Sequence, residues 1–557
     1  MTKFMLALFV LLALLDPGSA AEPDDISLAR ELVREAHGLC GAGCEMLTSF
    51  GAAQAKVGDL EASKRSFANA WAAAAKLEDG VERRIVLDAI AEAQAQAGQS
   101  KTAIENSLRL RSDHEQAMTL GTIAIVQAES AQANAALRTV DLMPQEVVWN
   151  RDLTLSLIAM TLSSGRDFAE ALRVLDLIPS DVELAKKILA KNVPMHELSP
   201  QEQTVVKPVM MKSMGLIVVA QDQAEAGDLK AALQTVRSIT PETRRECALW
   251  RVASVAADSG NLDVVQKAVD GIRNQSEEFK ELTLVQFVVA LAKQGRFERA
   301  SDNVATIKNV TRRADAVAGI AAGYAAHGDA KATRSFFDTI ISLTPSNDHA
   351  HNAAAKIIVR AYAEARHLEH AEAFVDNIND PEMLSEAFEA IAVANSRMKK
   401  TAETKRMFEK SRQAASDIVG SYEKCVRLRE LATVQPEKGD RKGAFTSIKL
   451  AVEAAAKIEI GGGTDVVALT QTATSQFTVG DRKGAATTFE LAKAAAARYP
   501  DEPYVASLLH DVASAQARVG QVKVAIASAR AQESTFIRSW MLLGVANGIL
   551  SECDVET

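Results

Sequence analysis

The chain has 557 residues, 48 % of them hydrophobic but only 5 % aromatic, so alanine and the aliphatic residues carry the apolar content. Such a composition favours close-packed helices. A formal charge of −9, with acids and bases interspersed, lacks the basic footprint of a nucleic-acid binder. Aromatic platforms are too sparse to favour a carbohydrate-active enzyme.

In chain order, Met1-Thr-Lys3 precedes an apolar run from Phe4 to Leu15 and then the small residues Gly18, Ser19, Ala20 and Ala21. This pattern predicts a signal peptide over residues 1–21, and hence an exported protein. The run is shorter than the roughly 20 residues that span a bilayer. No later segment is expected to cross a membrane. A helix is expected near Ile26–His37, followed by the glycine-rich Gly38-Leu-Cys-Gly-Ala-Gly-Cys44. In an exported chain, Cys40 and Cys44 are candidates for a short-range disulfide, with two packed thiols as the alternative.

From there a helix–turn–helix pattern recurs. Leu216–Ile239 shows it well: one apolar stripe at helical spacing, a break at Gly227-Asp228, then a second stripe. Turns of this kind are expected at Gly58, Gly98, Gly165, Gly227, Gly260, Gly295, Gly328, Gly439, Gly480 and Gly520, and near Ala131, Arg366 and Lys399. These make about 13 units, spaced mostly 33 to 41 residues apart. Relative to the turn residue, a large aliphatic residue stands eleven before (Leu249, Leu428) and another residue with a large apolar side chain eight before (Phe50, Val252, with Leu157 for the Gly165 turn). A small residue stands seven before (Ala220, Ala473), an alanine five after (Ala232, Ala525) and a large residue nine after (Phe67, Val236). Glycine takes the left-handed backbone that ends a helix, and Asp59, Asp228, Asn261, Asp329, Asp440 and Asp481 behind it are placed to cap the next. Gly439-Asp-Arg-Lys-Gly-Ala444 returns intact as Gly480-Asp-Arg-Lys-Gly-Ala485, which points to duplication.

These columns resemble the tetratricopeptide repeat over roughly Cys44 to Gln532. That family's tyrosine four residues before the turn survives as Tyr324 and Tyr362. Glutamine replaces it at Gln54, Gln94, Gln223, Gln435, Gln476 and Gln516. The expected fold is all-α: a right-handed α-solenoid of tandem helix–turn–helix repeats. The expected organisation is repeats over 22–180, a proline-containing insertion over 181–208, repeats over 209–533, and a capping helix with tail over 534–557. The insertion should hold a short helix and a proline-kinked loop, with Pro194, Pro200 and Pro208.

No motif for catalysis survives inspection. Gly98-Gln-Ser-Lys-Thr102 lacks the first glycine and the strand of a phosphate loop, and His196-Glu197 lacks a second histidine. No cofactor or metal is expected. Arginines recur where first helices begin, including Arg84, Arg151, Arg245 and Arg313. The resemblance implies a groove lined by first helices in which such arginines hold carboxylates. Pairing with neighbouring glutamates is the competing role. Gln94 and Gln223 could bond a peptide there, or bond within the stack. The expected function is an exported, non-catalytic scaffold for a protein or peptide partner. A self-associating envelope component is the alternative, and an α-helical carbohydrate-active enzyme a more distant one.

Overall fold

A computed structural model describes residues 23–39, 43–191, 193–272, 277–345, 347–459 and 461–551. Residues 1–21, expected to form a signal peptide, and Cys40 lie outside them. Every regular element among the described residues is a helix. The helices form two compact units, one of residues 107–383 and one joining residues 1–106 to 384–557.

Within both units the repeat is a hairpin closed by one kind of turn. In the first, Gly58 (φ 76°) donates its N–H to the carbonyl of Ala55 at 2.9 Å, and Asp59 donates to that of Gln54 at 2.8 Å. These two bonds make a Schellman stop, which satisfies two carbonyls the helix leaves open. Asp59 then caps the next helix by accepting from the N–H of Ala62. Asp228, Asn261, Asp329, Asp440 and Asp481 cap their helices in the same way, each accepting from the third residue on.

Ala131 (φ 57°), Arg366 (φ 67°) and Lys399 (φ 60°) hold the left-handed position without glycine, as the columns anticipate. Gly165 does not. Its φ is −75°, and Arg166 turns instead at φ 65°. Moving the phase of this repeat by one residue puts Leu155, Ile158, Ala159, Ala171 and Leu175 into the packing columns, all fully buried, while Leu157 faces outward. It also makes Asp167 the cap of its second helix, accepting from the N–H of Glu170 at 3.2 Å. The apolar columns fix the register. A left-handed arginine costs about 1–2 kcal/mol, less than turning five buried side chains out of the core.

Within each unit, first helices pack on first helices, and second helices lean on the first helix of the following repeat. Within a hairpin the axes come close: a Cβ at Gly51 would stand 2.9 Å from the ring of Phe67. The stretch 181–208 contains the helix Val182–Leu189 and a tight turn at Met195–Glu197. Its proline-kinked loop is shorter than expected, because the Ser199–Glu202 capping box starts a helix at Pro200 that carries Pro208 inside it and runs to Glu225. Ala185, Ile188, Leu198, Val206 and Val209 form a small core of their own there. The helix Pro200–Glu225 is also long and apolar enough to cross a membrane, contrary to the sequence expectation. Half of its most apolar window is buried against the chain's own helices, where a core helix spends its hydrophobicity.

The final helix, Thr535–Ser551, does not end a stack. It packs against the helix Pro23–Leu39 and beside Cys44–Lys56. In the unit that joins the chain ends, the series of repeats is therefore continuous across them.

Candidate functional site

Three polar columns run through the repeats, and their geometry separates packing roles from surface roles. The first contains the glutamines four residues before the turn. Gln223 is buried, and its Oε1 accepts from the hydroxyl of Thr235 at 2.8 Å. Ser66–Gln54, Thr139–Gln127 and Ser447–Gln435 repeat this bond, always twelve residues apart across the hairpin. Gln94 is 1 % exposed, accepts from the indole N–H of Trp71 at 2.9 Å and donates to Gln99. In the duplicated motif, Gln435 donates to Asp440 and Gln476 to Asp481 at 2.9 and 3.1 Å. Both acids also cap Gly443 or Gly484. A Cβ on either glycine would stand within 2.0 Å of that carboxylate, which explains why both copies keep Gly-Asp-Arg-Lys-Gly. The amides of Gln94 and Gln223 are thus engaged inside the stack.

The second column stands fourteen residues before the turn and is buried. Glu281 accepts from the backbone N–H groups of Lys308 and Asn309 at 2.7 and 3.0 Å and from Arg312 at 3.2 Å, tying down the entry of the next repeat. Burial alone would push its carboxyl up, but the two amides and Arg312 together hold it below the ordinary value. Asn352 receives the N–H groups of Asn379 and Asp380 in the same way, and Ser213 donates to the carbonyl of Thr240. At Glu246 the corresponding loop, 273–274, lies outside the described residues. Asp152 is the exception. Its counterpart of Lys308 is Pro179, which has no N–H, and neither carboxylate oxygen has a partner among the described residues. Burial pushes its pKa up to about 6, with Arg151 only partly offsetting the rise.

The third column, fifteen before the turn, is basic in six successive repeats of the 107–383 unit: Arg151, Lys212, Arg245, Lys280, Arg313 and His351. Each is partly exposed, and all but Lys212, which lies midway along Pro200–Glu225, stand near the start of their first helix. Arg151 stands 3.9 Å from Asp141, Lys212 bonds Asp176 at 2.8 Å, and Arg245 pairs with Glu242. Arg313 donates to the carbonyl of Ile307 at 2.8 Å. Asp141 and Asp176 are exposed, at 71 % and 78 %, so these pairs are weak and open to exchange with another carboxylate. Three of the four arginines singled out in the sequence share this row. Arg84 lies in the other unit, one place along, next to an Arg83 that bonds Asp79 at 2.5 Å. Lys212, Lys280 and His351 stand fifteen residues before Gly227, Gly295 and Arg366, turns the sequence already places, and only Arg151 joins the row through the turn at Arg166. No group of three His, Cys, Asp or Glu able to hold a metal occurs among the described residues.

The chain is a tetratricopeptide-like helical-repeat protein, of divergent sequence. Its thirteen turns, each with a left-handed residue at the expected place or one residue on, decide this. No protein-family model matches these repeats, and no curated protein matches them in sequence. Among solved structures, Naa15/Naa10 bound to HypK-THB is similar at TM-score 0.28 and 14 % identity, covering 90 % of this chain and 84 % of that one. The APC/C hetero-tetramer Cut9–Hcn1 follows at 0.23 and 10 %, covering 89 % and 96 %. Ton1535 from Thermococcus onnurineus stands at 0.20 and 15 %, covering 65 % and 97 %. Likenesses of this size carry no argument, and the repeat assignment rests on the turns and packing columns.

Proposed function

We propose that this repeat protein is an exported, non-catalytic scaffold, and that it binds an acidic segment of a protein or peptide partner along the basic row of its 107–383 unit. The observation that carries the reading is the recurrence of Lys or Arg at one structural position in five successive repeats, from Arg151 to Arg313, with His351 at the same place in the sixth. First helices of packed repeats lie about 8–10 Å apart, so the row offers charges at intervals that a run of acidic side chains can match. Their intramolecular partners at Asp141 and Asp176 are solvent-facing, and a ligand carboxylate can replace them at little cost. Many weak contacts then add up along the row. Export rests on the residues 1–21 pattern, with cleavage after Ala21.

The test is crosslinking in the native envelope with the full chain and with Arg151→Gln/Arg245→Gln/Arg313→Gln. The triple variant should lose at least tenfold of the captured acidic partner while its thermal unfolding stays within 2 °C of the parent, a shift of about 1 kcal/mol for a unit of this length. Equal capture would remove the row from the interface. Turnover of an envelope polymer, lost in the variant, would replace a scaffold with an enzyme.

A further inference from the structure

The unit that joins the chain ends carries its own concentration of positive charge, separate from the row in the 107–383 unit. Its repeats that turn at Lys399, Gly439, Gly480 and Gly520 stand in register. Arg427, twelve residues before its turn, donates to the hydroxyl of Ser385, fourteen before the preceding turn, at 2.9 Å. Arg429, ten before, bonds Gln471, nine before the next turn. The Ser396 hydroxyl reaches the carbonyl of Lys438 at 3.4 Å, and the first helices Thr464–Val479 and Glu502–Arg518 pack together. The four turns therefore line one edge.

Each turn brings a pair of exposed cations to that edge: Lys399 and Lys400, Arg441 and Lys442, Arg482 and Lys483, then Arg518 and Lys523. None of these side chains forms an ion pair within the described residues. Arg482 lies over the Phe477 ring, 5.1 Å from its centroid. The acids of the edge are mostly engaged: Asp440 and Asp481 cap their helices, and Glu437 stands 3.5 Å from Lys438. Glu403 stays exposed beside the first pair. In a chain whose net charge is −9, this edge is a local excess of unneutralised cations, and it attracts a surface of opposite sign.

We propose that this edge docks the protein on an anionic lipid surface, with its cations at the phosphate headgroups and Phe445 and Val524 at the acyl boundary. Breadth favours a plane over a strand. Consecutive residues on a helix point about 100° apart, so Arg441 and Lys442 spread charge sideways. Stacking repeats it along the edge at intervals of about 8–10 Å. The apolar residues point the same way. Phe445, one helical turn behind Arg441 on the same face, is 38 % exposed, and Val524, next to Lys523, is 49 % exposed. A soluble polyanion gains nothing from them, whereas a membrane interface takes apolar side chains beside cations.

The test is co-sedimentation of the full chain with vesicles of phosphatidylcholine, alone or with one-third phosphatidylglycerol, at about 0.1 M salt, where charges are screened beyond about 10 Å. Arg441→Gln/Lys442→Gln/Arg482→Gln/Lys483→Gln changes exposed positions only, and its helicity should match the parent's. The parent should bind the anionic vesicles more tightly than this variant by about tenfold or more, and both should bind phosphatidylcholine equally. The apolar run Phe4–Leu15 is common to the two chains, so its own affinity for lipid cancels. Phe445→Ser/Val524→Ser should weaken binding to anionic vesicles by about threefold and leave binding to soluble polyphosphate unchanged. Arg151→Gln/Arg245→Gln/Arg313→Gln should bind vesicles as the parent does, which separates this edge from the row assigned to an acidic partner. Equal binding of the parent and the variant lacking four cations overturns the proposal. So does a parent that binds polyphosphate through this edge but shows no preference for anionic vesicles; its ligand would then be a soluble polyanion.

Discussion

The repeats that turn at Arg166 and Gly295 put a buried acid at the same place, and only one of them gives it a task. Glu281 gathers two backbone amides and Arg312 around its carboxylate and so joins two repeats. Asp152 has Pro179 in the place of Lys308, and its carboxylate has no hydrogen-bond partner among the described residues. A buried charge is worth what its donors return, and deleting the loop N–H turns a joint into a burden.

The largest effect should come from breaking the good joint. Glu281→Ala strands two amides and an arginine, and chemical unfolding should register a loss of about 2–4 kcal/mol. Glu281→Gln keeps one acceptor and should cost less.

The opposite sign is expected at the other repeat. The folded pKa of Asp152, about 6, lies above the ordinary carboxylate value of 3.8. The protonated form therefore favours folding. Its contribution is complete below pH 4 and is lost as pH rises through 6. Asp152→Asn removes that loss, so it should stabilise the protein by about 3 kcal/mol at pH 7.5 and have little effect below pH 4. Unfolding midpoints across that range decide it; a pH-independent difference would mean that the carboxyl is not the cause.

A smaller gain should follow at the turn of the same repeat. Arg166→Gly relieves a left-handed side chain, and calorimetry should show about 1 kcal/mol of stabilisation. A loss instead would mean that the arginine side chain contributes more than its backbone costs.

The repeat pattern was legible because the same few packing positions recur. Ala131, Arg366 and Lys399 could be placed without glycine, since Leu120, Ile123 and Ala124, for instance, mark the distance to the first of them. At Gly165 the preference for glycine at a helix end competed with those columns and misled, by one residue. That slip also left Arg151 out of the basic row, whose other members stand fifteen before turns that the sequence places correctly. The ion pair of Arg530 with Glu35 spans 495 residues, and no local period reports it. Ala29 and Val33 did carry the signature of a second helix, but its first helix lies at the far end of the chain.

That separation sets a clock. At a synthesis rate of about 5–20 residues per second, roughly 25–100 s pass between the emergence of Glu35 and that of Arg530. Throughout this interval Ala29, Leu32, Val33 and Ala36 present an apolar stripe with no groove to receive it. The helix Pro23–Leu39, made early, is among the last to find its place, so the nascent chain has to be shielded along that stripe until Thr535–Ser551 is released.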